Sequence, residues 1–291
     1  MRAAPSTTEN GNLRSDFPRL HLNTSSNLRS RPSSNDAAMT NPTLHALLLL
    51  SDSALPLGSF AFSSGLESFL AHNKSRHSTS ASRTKAFETF LEHSLANVAS
   101  TALPYVLAAY HEGPTLERLE ELDNDFDAST PCTVARRAST TQGRALLAIW
   151  ERALFSSTSP SLASQAAAKA LTAFAAASKC SKPDVYGLQL NSHFPPLFGL
   201  TALALGLSAA ETAYLFLLNH AKALLSAGVR ASVLGPYQSQ AVLASESLQR
   251  CIRSCIEREG ERKVDEAGVT VPVMDLWMGR HELLYSRIFN S

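Results

Sequence analysis

Few groups in this chain have residue types and spacings that could do chemistry. Asp123, Asp125 and Asp127 alternate as the first ligands of a calcium loop do. The sixth position, however, is Ala128 and the twelfth is Val134, so the required glycine and the closing glutamate are missing. His281-Glu282-Leu283-Leu284-Tyr285 falls one residue short of a zinc-binding HExxH. Gly58-Ser59-Phe60-Ala61-Phe62 lacks the second glycine of a nucleophile elbow. There is no GxxxxGK[ST] phosphate loop. Cys251 and Cys255 lie four apart on one helical face. They read as small buried hydrophobes, because a metal needs more ligands than that segment offers. His193, beside Pro195, is a weak candidate metal ligand, and a hydrogen-bonded loop imidazole is its plainer reading. If the chain is an enzyme, the expectation is a helical one with a buried pocket near His193 and His220.

The elements that must position these residues are helices. Alanine and leucine dominate, glycine is low at 13, and no stretch alternates with period two for long. The predicted helices cover Thr43–Ser51, a segment capped by Ser63 or Ser64 and running to about His72, Lys85–His111 with a break near Pro104, Thr115–Asp127, and Thr133–Phe155. They continue over Ser161–Lys179, Leu197–Leu207, Ser208–Ser226, about Gln238–Glu259, and a short last helix after Pro272. Asn73–Arg83 reads as a Ser-rich surface loop. The fold class is therefore all-α, about nine to eleven helices in one domain spanning 41–291.

With 291 residues and 44% hydrophobic content, the chain has ample length to bury a core. A net charge of +1, from 26 basic and 25 acidic residues, argues against nucleic-acid binding by charge. Four cysteines do not make a secreted disulfide framework, so a reducing, cytoplasmic location is expected. The first 40 residues hold five arginines, three acids and no apolar run, and read as a disordered extension, with a mitochondrial transit peptide as the runner-up. Leu197–Leu218 is apolar enough to suggest a membrane-associated chain. Its Ser208 and Glu211, though, have capping-box spacing, which favours two abutting helices over a span.

One stretch, Leu47–Phe69, joins an apolar helix to a polar turn and a second helix, mixing exposed aromatics with small polar residues as functional loops do. Its Leu48-Leu49-Leu50-Ser51-Asp52-Ser53-Ala54-Leu55-Pro56-Leu57-Gly58-Ser59-Phe60 and Ser63-Ser64-Gly65-Leu66-Glu67 are one of four segments that occur in order. The others are Leu122-Asp123 with Arg136-Arg137-Ala138-Ser139 and Gln142-Gly143-Arg144; Ala227-Gly228-Val229-Arg230 with Leu234-Gly235-Pro236-Tyr237-Gln238-Ser239-Gln240; and Met274-Asp275-Leu276 with Arg280-His281-Glu282-Leu283-Leu284-Tyr285-Ser286-Arg287-Ile288-Phe289.

Together these segments resemble the urease accessory protein UreF family. The extension at the N-terminus and the Ser-rich loop suggest a eukaryotic version. The resemblance implies an all-α homodimer that is not an enzyme. It would bind a UreD-like protein (also called UreH) and the GTPase UreG, modulate GTP use, and help deliver nickel to apo-urease. No cofactor is held tightly, nickel being in transit, and neither nucleic acid nor membrane is a partner. The expected partner-binding residues are Arg230, Tyr237, Gln238, Gln240, Arg280, His281, Tyr285, Arg287 and Phe289, with a turn motif of Asp52, Ser53, Pro56, Gly58, Phe60 and Glu67. Arg230, placed just past a helix stop at Gly228, is expected to cap carbonyls or cross a dimer interface. The tail from Arg280 is expected either to fold on its UreD-like partner or to dock on its own domain.

Overall fold

Side-chain caps start six of the twelve α-helices among the described residues. The computed structural model describes residues 41–73, 79–112, 114–180, 183 and 187–290; the expected extension over 1–40 lies outside them, as do residues 74–78 of the Ser-rich loop. Helix α1 (Pro42–Ser51) opens on Asn41, whose side chain accepts from the Leu44 amide, with Pro42 in its first turn. After a 3-10 turn at Ser59–Ala61 comes α2 (Leu66–His72). Thr79 caps α3 (Ser80–Thr101), so the helix begins earlier than Lys85 and the predicted loop is shorter. Then follow α4 (Leu103–His111), α5 (Leu116–Ser129, capped by Thr115) and α6 (Thr133–Ile149), which runs on through a π-helical turn at Trp150–Leu154.

Ser161 caps α7 (Leu162–Lys179), and α8 spans Phe194–Ala204. The Ser208–Glu211 capping box forms as its spacing predicted and starts α9 (Ala209–Arg230). Two expectations need correction here. Helix α9 does not stop at Gly228: it runs on to Arg230, and the missing Cβ of Gly228 makes room for the Phe87 ring. The predicted Gln238–Glu259 helix is two, α10 (Pro236–Ala244) and α11 (Glu246–Glu259). Ser245 leaves helical geometry between them and accepts from the Leu248 amide as a new cap. The last helix is α12 (Val273–Arg280), followed by a 3-10 turn at His281–Leu283.

The all-α expectation is met, and Asn41–Ser291 is one compact unit. Among the described residues the only β-pairing is an isolated bridge between Pro183 and Gln189. Helix α8 forms the centre: every residue from Pro195 to Ala204 is buried, against α4, α6 and α7. Such an all-round apolar helix is what a sequence without an amphipathic stripe produces in a core. No helix among the described residues is long and apolar enough to cross a membrane.

The start of α8 is held by polar groups. The buried Asp123 carboxylate accepts the backbone amides of Asn191, Ser192 and His193 at 2.7, 3.0 and 2.5 Å. Burial pushes this carboxyl above the usual carboxylate range, and the three amides oppose that shift. His193 is fully buried; Nδ1 meets Ser139 Oγ at 3.0 Å and Nε2 meets Asp127 at 3.0 Å, while Arg136 pairs with Asp127. Gly143 permits this approach, since a Cβ there would lie 1.9 Å from the Ser192 carbonyl oxygen. His193 is therefore a satisfied structural imidazole rather than an open metal ligand.

Candidate partner-docking site

The four sequence segments that lie far apart in the chain meet at one place, the seat of the C-terminal tail. Helix α2 starts at Gly65, which has a positive φ of 86° and packs against α12 so closely that a Cβ there would lie about 3 Å from the Trp277–Met278 backbone. Two residues on, Glu67 faces the tail. Its carboxylate accepts the Ile288 amide at 2.7 Å and the Phe289 amide at 3.2 Å. His281 Nδ1 lies 3.8 Å from the same carboxylate, and its Nε2 meets the Phe289 carbonyl at 3.1 Å. Burial holds the His281 imidazole below its ordinary range.

The rest of the seat comes from the other segments. Arg230, at the end of α9, donates to the Phe60 carbonyl and lies 4.4 Å over the Phe289 ring. Arg137 of α6 pairs with Glu282 and donates to the Asn290 carbonyl at 3.0 Å. Arg287 closes the set on Glu282 at 2.7 Å, and the two guanidiniums pull the Glu282 carboxyl down. The Asn290 amide donates to the Ala61 carbonyl at 2.8 Å. Phe289 and His281 are buried. The tail thus docks on its own domain. Arg230 donates to the Ser226 carbonyl in the last turn of α9 as well as to Phe60, and it covers the Phe289 ring.

What the docked tail leaves outside is apolar. Leu276, Leu283, Tyr285 and Ile288 are exposed, with Arg280, Glu282 and Arg287 beside them in the chain. Arg280 donates to His72 Nε2 at 3.2 Å. Exposed aromatic and aliphatic side chains with interspersed arginines have the composition of interface anchors.

The remaining predicted residues divide between this seat and its surroundings. Asp52 accepts the Ala54 amide at 2.9 Å inside the turn, where Ser53 and Pro56 are exposed and Gly58 is left-handed. Phe60 is exposed beside Arg230. Tyr237, 92% exposed, and Gln240 stand on the outside of α10, while Gln238 turns back to accept the Gly235 amide at 2.9 Å. Arg137, Glu282, Asn219 and Lys222 also take part, though the sequence alone does not mark them as site residues. Asn219 and Lys222 donate to the last carbonyls of α1, Leu50 and Ser51. Their partners lie 145 to 171 residues away, so no local pattern marks them.

Under the turn lies a cavity of about 260 Å³, lined by Asp52, Phe62, Phe194, Asn219, His220 and Lys222 among others. His193 does not line it, so the pocket imagined for a helical enzyme does not unite His193 with His220. His220 Nε2 meets Ser94 Oγ at 2.8 Å. Burial pushes its imidazole down to about 4. The unfolded imidazole takes its proton near 6.5, the folded one only near 4. Stability present above about pH 6.5 is therefore lost as pH falls towards 4. His220 keeps some surface at the cavity wall, so the expected loss is about 2 kcal/mol rather than the roughly 3 kcal/mol of the full shift. Urea midpoints measured at pH 7 and pH 4.5 should fall apart in the native chain and draw closer in His220→Gln. An equal pH dependence in both chains contradicts this assignment. Among the described residues, no three His, Cys, Asp or Glu side chains are grouped to hold a metal ion.

The UreF family profile matches residues 82–246, more than half of the chain. A UreF-like urease accessory protein of Schizosaccharomyces pombe is 38% identical over 253 residues, covering 85% of this chain and 97% of that protein. The chain belongs to the UreF family. Urease accessory protein F of Arabidopsis thaliana is 29% identical over 242 residues, 83% of this chain and 90% of that protein. Urease accessory protein 6 of Cryptococcus neoformans is 27% identical over 323 aligned positions, 87% and 100% of the two chains. UreF relatives thus span fungi and a plant, and their names place the family in urease maturation. The UreF profile begins after the opening turn and ends before the tail, so the seat joins residues inside it (Arg137, Arg230) to residues on either side (Glu67, Phe289).

Proposed function

We propose that this chain is a non-enzymatic scaffold of urease maturation, whose docked tail is the face for a UreD-like protein. The observation that carries the proposal is the exposed row Leu276, Leu283, Tyr285 and Ile288 on a segment pinned from beneath by Glu67, Arg137 and Arg230. A pinned segment loses little further conformational freedom on binding, so its apolar surface is available for affinity. In this reading the chain bridges the UreD-like protein to a UreG-like GTPase, modulates GTP use, and acts as a homodimer on apo-urease in the cytoplasm. Nickel passes through the assembly without being held by a fixed cluster of this chain. The turn at Asp52–Phe60 and the outer side of α10, with Tyr237 and Gln240, are the remaining contact surfaces.

Co-purification tests the proposal. Tagged full-length chain is expected to retain both the UreD-like protein and the UreG-like GTPase from a mixture of purified components. A chain truncated after Gly279 is expected to lose the UreD-like protein. Retention of neither partner by the full-length chain overturns the reading.

A further inference from the structure

The cavity of about 260 Å³ beneath the opening turn is lined by polar groups that the fold uses only in part. Its charged lining residues are Lys222 of α9 and Asp52 of the turn. Lys222 is half-buried, and an ammonium has three N–H donors. Among the described residues only the Ser51 carbonyl takes one of them. Asp52 is exposed and accepts the Ala54 amide with Oδ1, whereas a carboxylate has room for about four such bonds. The two charges act on one another without forming an ion pair among the described residues. Burial pushes the Lys222 ammonium below its ordinary range, and the Asp52 charge opposes that shift. A half-buried ammonium with spare donors gains by meeting an anion.

Much of the remaining lining is apolar. Phe62 and Phe216 are buried, Phe194 stacks on Phe216 with ring centroids 6.1 Å apart, and Met278 of α12 adds a pliable thioether. The volume falls just under the about 300–1,000 Å³ of pockets for drug-sized ligands, so the occupant is small. One cation, one anion and an aromatic-lined space together match a molecule that carries both charges next to an apolar group. We infer that this cavity binds a free α-amino acid with an apolar side chain. Lys222 holds its carboxylate, Asp52 holds its ammonium, and the side chain lies among Phe62, Phe194, Phe216 and Met278. A ligand with a single charge leaves either Lys222 or Asp52 unmatched, and a wholly apolar one leaves both.

Saturation-transfer NMR on the full native chain at pH 7 tests the site, with L-leucine and L-methionine as probes. At least one is expected to bind saturably with a Kd below about 1 mM, within the efficiency range of so small a ligand. Isocaproate is leucine without its ammonium, and isoamylamine is leucine without its carboxylate. Each is expected to bind at least about tenfold more weakly, the loss of one charge-assisted hydrogen bond. Asp52→Asn keeps an acceptor for the Ala54 amide and removes the charge, and Lys222→Met removes the ammonium. Each should weaken amino-acid binding at least about tenfold. In Lys222→Met, leucine and isoamylamine should bind alike, which a merely structural lysine would not produce. If Lys222→Met does not fold, the three leucine-related compounds on the native chain still decide. Saturable binding of neither amino acid, or equal affinity for leucine and both analogues, overturns the inference. These readouts need no partner protein, so they stand or fall apart from the docking proposal.

Discussion

Glu67→Ala should release the C-terminal tail while leaving the helical body folded. The carboxylate accepts two tail amides and is only 13% exposed. Hydrogen bonds to a charged acceptor contribute about 1.5–3 kcal/mol each, so losing both should weaken docking by about 3 kcal/mol. Hydrogen exchange at the Ile288 and Phe289 amides should then rise about 100-fold, since local opening at fixed closing rate follows that free energy. Trypsin should cut sooner after Arg280 and Arg287. Glu67→Gln keeps an acceptor oxygen and should fall between the two. Unchanged exchange at 288 and 289 in Glu67→Ala would mean that the other contacts hold the tail: Phe289 under Arg230, Arg137 and Ala61 on Asn290, and His281 on the Phe289 carbonyl.

Asp123→Ala should have the larger effect on the whole fold. The substitution leaves three amides at the start of α8 without acceptors, two of them, Ser192 and His193, buried and each worth about 1–3 kcal/mol. The carboxylate's own burial is costly and offsets part of that sum, so the expected loss is about 4 kcal/mol. Because α8 is the buried centre, the loss should appear as a single cooperative shift of the urea midpoint rather than as local fraying. Asp123→Asn keeps one acceptor and should lose less. A midpoint within experimental error of the native chain in Asp123→Ala would show that the 191–193 segment finds other acceptors.

The helices were legible because their signals are local. Ser161, Ser208 and Thr115 lie at the starts they cap, and a cap needs only the next three residues to act. The errors were local too. Ser245 divides α10 from α11 because its hydroxyl finds the Leu248 amide, a choice the surrounding periodicity does not reveal. Gly228 looked like a helix stop, yet its lack of a Cβ serves the Phe87 ring. The docking seat was legible only as a set of members. Resemblance placed Glu67, Arg137, Arg230 and Phe289 in order along the chain, but Glu67 meets Phe289 across 222 residues and Arg137 meets Glu282 across 145. Separations of that size are set by how the helices pack, which neither charge nor period encodes. Arg230 shows the limit well: as an isolated residue it suited a carbonyl cap or a subunit contact, and only the folded chain puts Phe289 beneath it.

The central claim is that the docked tail presents the surface a UreD-like protein binds, and an affinity measurement tests it most directly. Titration calorimetry would compare full-length chain with Leu283→Ala/Tyr285→Ala, which trims exposed side chains and leaves the seat intact. The account predicts binding weakened at least about 100-fold, close to 3 kcal/mol, as expected when interface anchors are truncated. Equal affinity in the two chains, with both folded, would contradict it.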